Sequence, residues 1–171
     1  MSVPCSTVSG MTSTATRISH TFPSPLGDIT LEIDGDALVK LSIHDGPAMS
    51  NDSAPEHPVL ARFVEQLTEY FDGRRQDFDV PVVLEGTAFQ QDIWQALLGI
   101  PHGQTLSYGE LGAAAGYPGS ARAVGRAVGA NPIPIIVPCH RVMGANGAIT
   151  GYSGGSGITT KQWLLEKERA A

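Results

Sequence analysis

Polar and apolar residues alternate along Asp28-Ile29-Thr30-Leu31-Glu32-Ile33-Asp34, break at Gly35-Asp36, and alternate again from Ala37 to Ile43 with Leu41 and Ile43 on one face. A period of two is that of a half-buried strand, so the two runs predict a hairpin. The strand-like pattern begins at Ser19, and Pro25-Leu26-Gly27 has turn chemistry. Gly46 to Pro58 is a polar loop containing proline. From Val59 the period lengthens: Leu60, Phe63, Val64, Leu67, Tyr70 and Phe71 share one helical stripe that Gly73 ends. Phe78, Val80, Val82 and Leu84 then predict one more short strand, with Pro81 marking a sheet edge because proline has no amide to donate.

A second unit starts near Gly86. Phe89, Ile93, Trp94, Leu97 and Leu98 form a helical face that stops at Gly99, and Pro101-His102-Gly103 is a turn. Ser107 and Glu110 have the spacing of a capping box, which opens a short helix over Tyr108–Ala115. Gly116 to Gly119 turns, and Ser120 to Gly129 (SARAVGRAVG) is a further helix, so the pair makes a helix-turn-helix candidate. Ile135-Ile136-Val137 is three branched apolar residues in a row, expected as a strand buried on both faces that Pro138 stops. Ser2 to Thr16 is rich in Ser, Thr and small residues and is expected to be a tail, with Cys5 an incidental exposed thiol. The expected division is therefore a tail over 1–16, a sheet-plus-helix domain over 17–85 and a mainly helical domain over 86–171.

At 171 residues, with 42% hydrophobic and 16% charged residues, the chain has the make-up of a soluble globular protein. It holds no run of about 18 apolar residues and begins with no basic region followed by an apolar core, so neither membrane span nor signal peptide is expected. Two distant cysteines and no export signal point to free thiols in a reducing cytoplasm. The net charge of -6 argues against a nucleic-acid partner, but its distribution argues the other way. No Asp or Glu lies between Glu110 and Glu166, whereas Arg122, Arg126, Arg141 and Lys161 do, so a basic surface is expected on the second unit. The helix over 120–129 is poor in bulk; small side chains suit close approach to a nucleic-acid groove, and equally suit helix packing.

Cys139, directly before His140 and Arg141, invites three readings. A free cysteine is most often a small buried hydrophobe. A base and a cation beside it would instead lower the thiol pKa and make a nucleophile. A metal site ranks last, because no further Cys or His lies at ligand spacing. Adjacent residues of an extended chain point to opposite sides, so His140 needs a water bridge or a kink after Pro138 to act on the sulfur.

Taken in order, SYGEL at 107–111, ARAVG at 121–125, Asn131-Pro132, IIVPCHRV at 135–142, GYSGG at 151–155 and KQWLLEKE at 161–168 closely resemble the O6-alkylguanine-DNA alkyltransferase family. The resemblance is dense over Phe89–Leu165 and only general before that. It implies an α+β fold: a small RNase H-like sheet-plus-helix domain followed by a helical, winged helix-turn-helix-like domain. Cys139 matches the alkyl acceptor, His140 the base that acts on it through a water, and Glu168 the carboxylate that orients His140. Tyr108 matches the residue that contacts the target base and helps guanine leave, and Asn131 the brace between recognition helix and active-site segment. Arg122 matches the arginine that takes the place of an extruded nucleotide, with Ser120, Ala121 and Gly125 on the same helix. Val142, Tyr152 and Ser153 belong to the implied substrate pocket.

The implied function is direct-reversal repair: stoichiometric, irreversible transfer of a methyl or other alkyl group from O6-alkylguanine, with O4-alkylthymine an open second substrate, to Cys139 after the nucleotide is flipped. The implied partner is double-stranded DNA carrying that lesion, met by a monomer, with cooperative assembly on DNA left open. No cofactor and no metal are implied. Binding-only relatives of the same fold lack the acceptor cysteine. A transcriptional helix-turn-helix would carry several base-reading side chains, which 120–129 does not, and a cysteine hydrolase would need an oxyanion hole.

Overall fold

The computed structural model describes residues 17–46 and 55–170. The expected tail with Cys5, and the middle of the loop expected over 46–58, lie outside the described residues. The chain divides into two compact units, one running to Leu84 and one from Glu85.

In the first unit, β1 (Ile18–Ser24), β2 (Gly27–Asp34) and β3 (Ala37–Ile43) form an antiparallel sheet in the order β1-β2-β3. Residues 25 and 26 join the first two strands, so that Ser24 pairs with Gly27, and the Gly35-Asp36 break joins the next two. The alternation is realised in the burial: Ile29, Leu31 and Ile33 are fully buried while Asp28, Thr30, Glu32 and Asp34 are not. α1 (Pro58–Phe71) buries Leu60, Phe63, Leu67, Tyr70 and Phe71 of the expected stripe, whereas Val64 is only half-buried. His57 caps it by accepting a hydrogen bond from the Val59 amide. The strand expected over 78–84 does not form. It is reduced to a single bridge between Val82 and Leu38, with Leu38 N donating to Pro81 O (3.0 Å) and Val83 N to Leu38 O (2.9 Å). Pro81 between alternating residues leaves too few donors for a ladder.

The second unit contains α2 (Ala88–Leu98), β4 (Leu106–Ser107), α3 (Tyr108–Ala114), α4 (Ala121–Gly129), a 3-10 turn (Cys139–Arg141), β5 (Val142–Met143) and α5 (Ile158–Ala170). Both capping boxes are complete: Thr87 with Gln90 opens α2, and Ser107 with Glu110 opens α3. β4 and β5 form a short parallel pair that the sequence did not suggest. It joins the entrance of α3 to the residues just after the cysteine. The buried faces of α2 (Ile93, Trp94, Leu97) and α4 (Val124, Ala127, Val128) are tied together by the Trp94 indole, which donates to Ala127 O at 2.8 Å. No described helix is long and apolar enough to cross a membrane.

The helix-turn-helix is closed by Gly112. A Cβ there would lie 3.0 Å from both Tyr117 O and a Val124 methyl, and Tyr117 N donates to Gly112 O (2.7 Å) across the turn. Gly to Ala inside a helix ordinarily gains about 1 kcal/mol. In Gly112→Ala the sign reverses, because overpacking costs about 1–3 kcal/mol. The expected outcome is a net loss of stability on urea unfolding; a gain would show that the turn can yield.

Candidate active site

The approach to Cys139 is a braced turn, which corrects the strand expected over 135–137. Ile135, Ile136 and Val137 are buried, as a two-face strand would be, but their backbone turns and Ile135 sits at φ 73. Pro132 and Pro134 remove two amides from any ladder. Asn131 takes up part of the remaining hydrogen bonding: its Nδ2 donates to Val137 O (2.8 Å) and its Oδ1 accepts from the Ile133 amide (3.0 Å). Val137 N donates to Ile133 O (2.9 Å). Burial pattern alone cannot separate a buried turn from a buried strand.

After Pro138 the chain makes the 3-10 turn, with Cys139 N donating to Val137 O (2.8 Å) and Arg141 N to Pro138 O (3.1 Å). Consecutive side chains of a 3-10 turn are about 120° apart rather than opposed. Of the two routes left open, a water bridge or a kink after Pro138, the kink is present.

Behind Cys139 lies a buried charged cluster. His140 is fully buried, and its Nε2 meets Glu168 Oε1 at 2.7 Å. Arg141 grips the same carboxylate with Nε on Oε2 (2.9 Å) and one terminal nitrogen on Oε1 (2.8 Å), while the other donates to Ile100 O (2.6 Å). Burial opposes the charge on Glu168, but hydrogen bonds from His140 and Arg141 and their charges outweigh it and hold the carboxyl well below its ordinary range. A carboxylate only accepts, so the shared proton belongs to His140 Nε2. The lone pair is then on Nδ1, which is buried and has no hydrogen-bond partner among the described residues. Burial pushes the His140 pKa down, against the pull of Glu168.

The Cys139 thiol differs from the expectation of a lowered pKa. Burial raises it, and the Asn131 and Tyr152 side chains, the Lys161 charge and backbone hydrogen bonding only partly offset this. Burial thus disfavours both members of a thiolate–imidazolium pair. Each has a fixed partner that favours its charge: Lys161 for the sulfur and Glu168 for the ring.

Although only 6% exposed, Cys139 lines a cavity of about 310 Å³ together with Tyr108, Gly125, Val128, Gly129 and the 151–153 segment. That volume is at the small end of the range for small-molecule sites. Thr150 Oγ1 donates to the Tyr108 hydroxyl (3.3 Å), and Ser153 Oγ donates to Gly129 O (3.3 Å), joining the loop to α3 and to the end of α4. Tyr108, Tyr152 and Ser153, which the resemblance implies contact the substrate, line this cavity, and so does Gly125, expected only on the helix that carries Arg122. Val142 does not line the cavity: its side chain is fully buried, and its carbonyl accepts from Lys161. Ala121 and Arg122 are exposed on the first turn of α4, and Ser120 is its N-cap residue without a side-chain cap bond.

The basic surface expected of four cations comes down to two. Arg122 and Arg126 are exposed on α4, but Arg141 and Lys161 are buried. The chain is already in α5 from Ile158, five residues after Ser153. Sequence reasoning missed Lys161 as part of the site, yet a signal was available. Lys161, Leu164, Leu165 and Glu168 stand at i, i+3, i+4 and i+7, and all four are on the buried face of α5.

Two family models match the chain: the DNA-binding domain of 6-O-methylguanine DNA methyltransferase over residues 88–170, and its ribonuclease-like domain over residues 18–84. A methylated-DNA–protein-cysteine methyltransferase of Mycobacterium tuberculosis is 47% identical over 153 residues, which is 88% of this chain and 92% of that protein. The chain belongs to this methyltransferase family. The constitutive methyltransferase of Bacillus subtilis is 42% identical, over 87% of this chain and 93% of its own. The crystal structure of Mycobacterium tuberculosis OGT in complex with DNA superposes with a TM-score of 0.76 at 47% identity, covering 89% and 92% of the two chains. The α+β fold, a small sheet domain followed by a helical one, is the fold of these methyltransferases.

The carboxylate of this methyltransferase site gives a pH prediction. Glu168 titrates lower folded than its ordinary 4.5, so between the two values the unfolded chain binds more protons and acid favours unfolding. Its contribution is complete above about pH 4.5 and is lost as the pH falls toward the folded value. Urea unfolding across roughly pH 3 to 8 should show this acid limb. Glu168→Gln should flatten the limb and cost about 3–5 kcal/mol at neutral pH, because Arg141 is left buried without its partner.

Proposed function

We propose that this protein repairs alkylated DNA by direct reversal, taking the alkyl group of O6-alkylguanine onto Cys139 in a single irreversible turnover. DNA is the partner, met through α4. Arg122 fills the space left in the stack when the damaged nucleotide turns out into the cavity, and the cost of flipping, a few kcal/mol, is least for a lesion that already pairs poorly. Support comes from the exposure of Arg122 and the small residues beside it on α4, and from Gly125 lining the same cavity as Cys139.

In the reaction, the thiol proton passes through a water to Nδ1 of His140, whose imidazolium is stabilised by Glu168. The thiolate attacks the saturated carbon in line. The S–C bond forms as the C–O6 bond breaks, and the electron pair leaves with guanine, which is protonated with the help of Tyr108. Asn131 holds the turn that aims the sulfur and favours its thiolate. The product is a thioether, outside the reversible steps of cysteine chemistry, so each molecule acts once. One observation carries this reading: the acceptor sulfur stands on the wall of a cavity of about 310 Å³, with His140 and Glu168 paired at 2.7 Å behind it. The binding-only alternative gives no reason for Cys139.

Intact-mass measurement after incubation with a duplex containing O6-methylguanine is the test. The protein should gain one methyl, borne on Cys139, and Cys139→Ala should gain none while still binding the duplex. Arg122→Ala should slow transfer from duplex by about tenfold or more. It should leave transfer from a free O6-alkylguanine base unchanged, since a free base needs no flipping. A methyl found on any other residue overturns the assignment.

A further inference from the structure

Lys161 is a lysine buried to 1% exposure with no carboxylate among its hydrogen-bond partners. A buried ammonium is costly unless its donors are satisfied and its charge is answered. Its donors are satisfied by carbonyls from two segments: Val142 O on one side, and Thr150 O (2.9 Å) and Gly151 O (3.5 Å) on the other. Val142 is three residues after the acceptor, and Gly151 lines the cavity beside it. The ammonium has three N–H groups and meets three oxygens. The charge is not answered by an acid: Glu168, about two turns further along the same face of α5, is engaged by His140 and Arg141.

We infer that Lys161 is a positioning residue that clips the acceptor segment to the cavity wall and whose fixed positive charge favours ionisation of Cys139. The inference deepens the proposed alkyl transfer and rests on it for its role in repair. An ammonium already held in place by carbonyls needs no reorganisation when negative charge develops on the sulfur, which makes such a charge effective in a site poor in water. The titratable and charged groups around the sulfur are His140 and Arg141 on its own turn, Lys161 and Glu168 on α5, Tyr108 on α3, and Tyr152, whose side chain hydrogen-bonds the sulfur. Arg141 and Glu168 form an ion pair that largely neutralises itself. Lys161 therefore remains as the unpaired cation, and its interaction with Cys139 is mutual: the thiolate would also stabilise the ammonium.

Two variants separate the clip from the charge. Lys161→Met removes both at similar length, and Lys161→Arg keeps the charge but cannot reproduce a three-way point contact. The rate at which Cys139 reacts with iodoacetamide, assigned by peptide mass, is followed over roughly pH 6 to 10. Methyl transfer from duplex is followed over the same range. In Lys161→Met the limb that reports thiolate formation should move about one pH unit to the alkaline side, giving about a tenfold slower reaction near neutrality that recovers at high pH. In Lys161→Arg the limb should stay within a few tenths of the wild-type position. In both variants, amide hydrogen exchange over 150–153 should quicken, as expected of a wall that has lost its anchor. A loss by the same factor at every pH in Lys161→Met, or an equal alkaline shift in Lys161→Arg, overturns the electrostatic role. Unchanged exchange over 150–153 overturns the clip. Should Lys161→Met not fold, the Lys161→Arg profile still decides between charge and packing. Wild-type protein that reacts with iodoacetamide but gains no methyl from the duplex would refute the repair reading alone.

Discussion

The arrangement depends on a single carboxylate with two claimants. Glu168 on α5 accepts from His140 and from Nε and one terminal nitrogen of Arg141, and so fixes the 3-10 turn against α5. As a source of stability such a buried cluster is a poor investment, since apolar residues of equal volume often do as well. What it supplies is orientation. An apolar replacement could hold α5 in place, but it could not assign the imidazole proton to Nε2 and leave the opposite nitrogen as a lone pair. Arg141 serves the same end by engaging both oxygens, so that the carboxylate cannot rotate away from the ring. Its remaining nitrogen on Ile100 O ties the cluster to the end of α2.

Upstream of the sulfur, a different balance holds the turn. Ile135 is β-branched and left-handed, a conformation that costs of order 1–3 kcal/mol. The two Asn131 hydrogen bonds and the Val137–Ile133 bond offset about 1 kcal/mol each. Burial of Ile133, Ile135, Ile136 and Val137 adds about 1.5–3 kcal/mol per side chain and is the larger effect. Hydrophobic burial therefore makes the strained turn affordable, and Asn131 decides which turn it is. The segment presents its apolar side chains inward and delivers Cys139 to the cavity at the point where regular hydrogen bonding has ended.

How much of this was readable from sequence follows from which signals are local. The strands β2 and β3, helix α1, the buried stripe of α2 and the α3 cap were legible because each rests on a short-range period or a fixed capping spacing. The Val82 segment and the Ile135–Val137 turn were misread because burial was taken for pairing, while Pro81, Pro132 and Pro134 remove the amides that pairing needs. Of the site, Cys139, His140, Glu168, Tyr108 and Asn131 could be named only as an ordered set of motifs, since no one of them is distinctive alone. Lys161 and Arg141 were assigned to the surface by residue type, and their burial is a tertiary outcome that charge counting cannot see. The spacing Lys161, Leu164, Leu165, Glu168 did contain that information.

The fate of those two cations changes the electrostatic argument for DNA. A chain of net charge -6 should repel a polyanion, yet at physiological salt the field of an exposed charge is screened over about 8 Å. The charges that matter are those within that distance of the phosphates. With Arg141 and Lys161 turned inward, the cationic contribution of the 110–166 stretch rests on Arg122 and Arg126, four residues apart on exposed α4. Two arginines release few counterions, so electrostatic attraction alone would be weak and only shallowly dependent on salt. If α4 meets the duplex as proposed, more of the binding would come from close backbone approach along a helix of Ala, Gly and Val, and from what occupies the cavity. On the proposed docking through α4, such a surface would hold undamaged duplex loosely and gain most where a base turns out to meet Cys139.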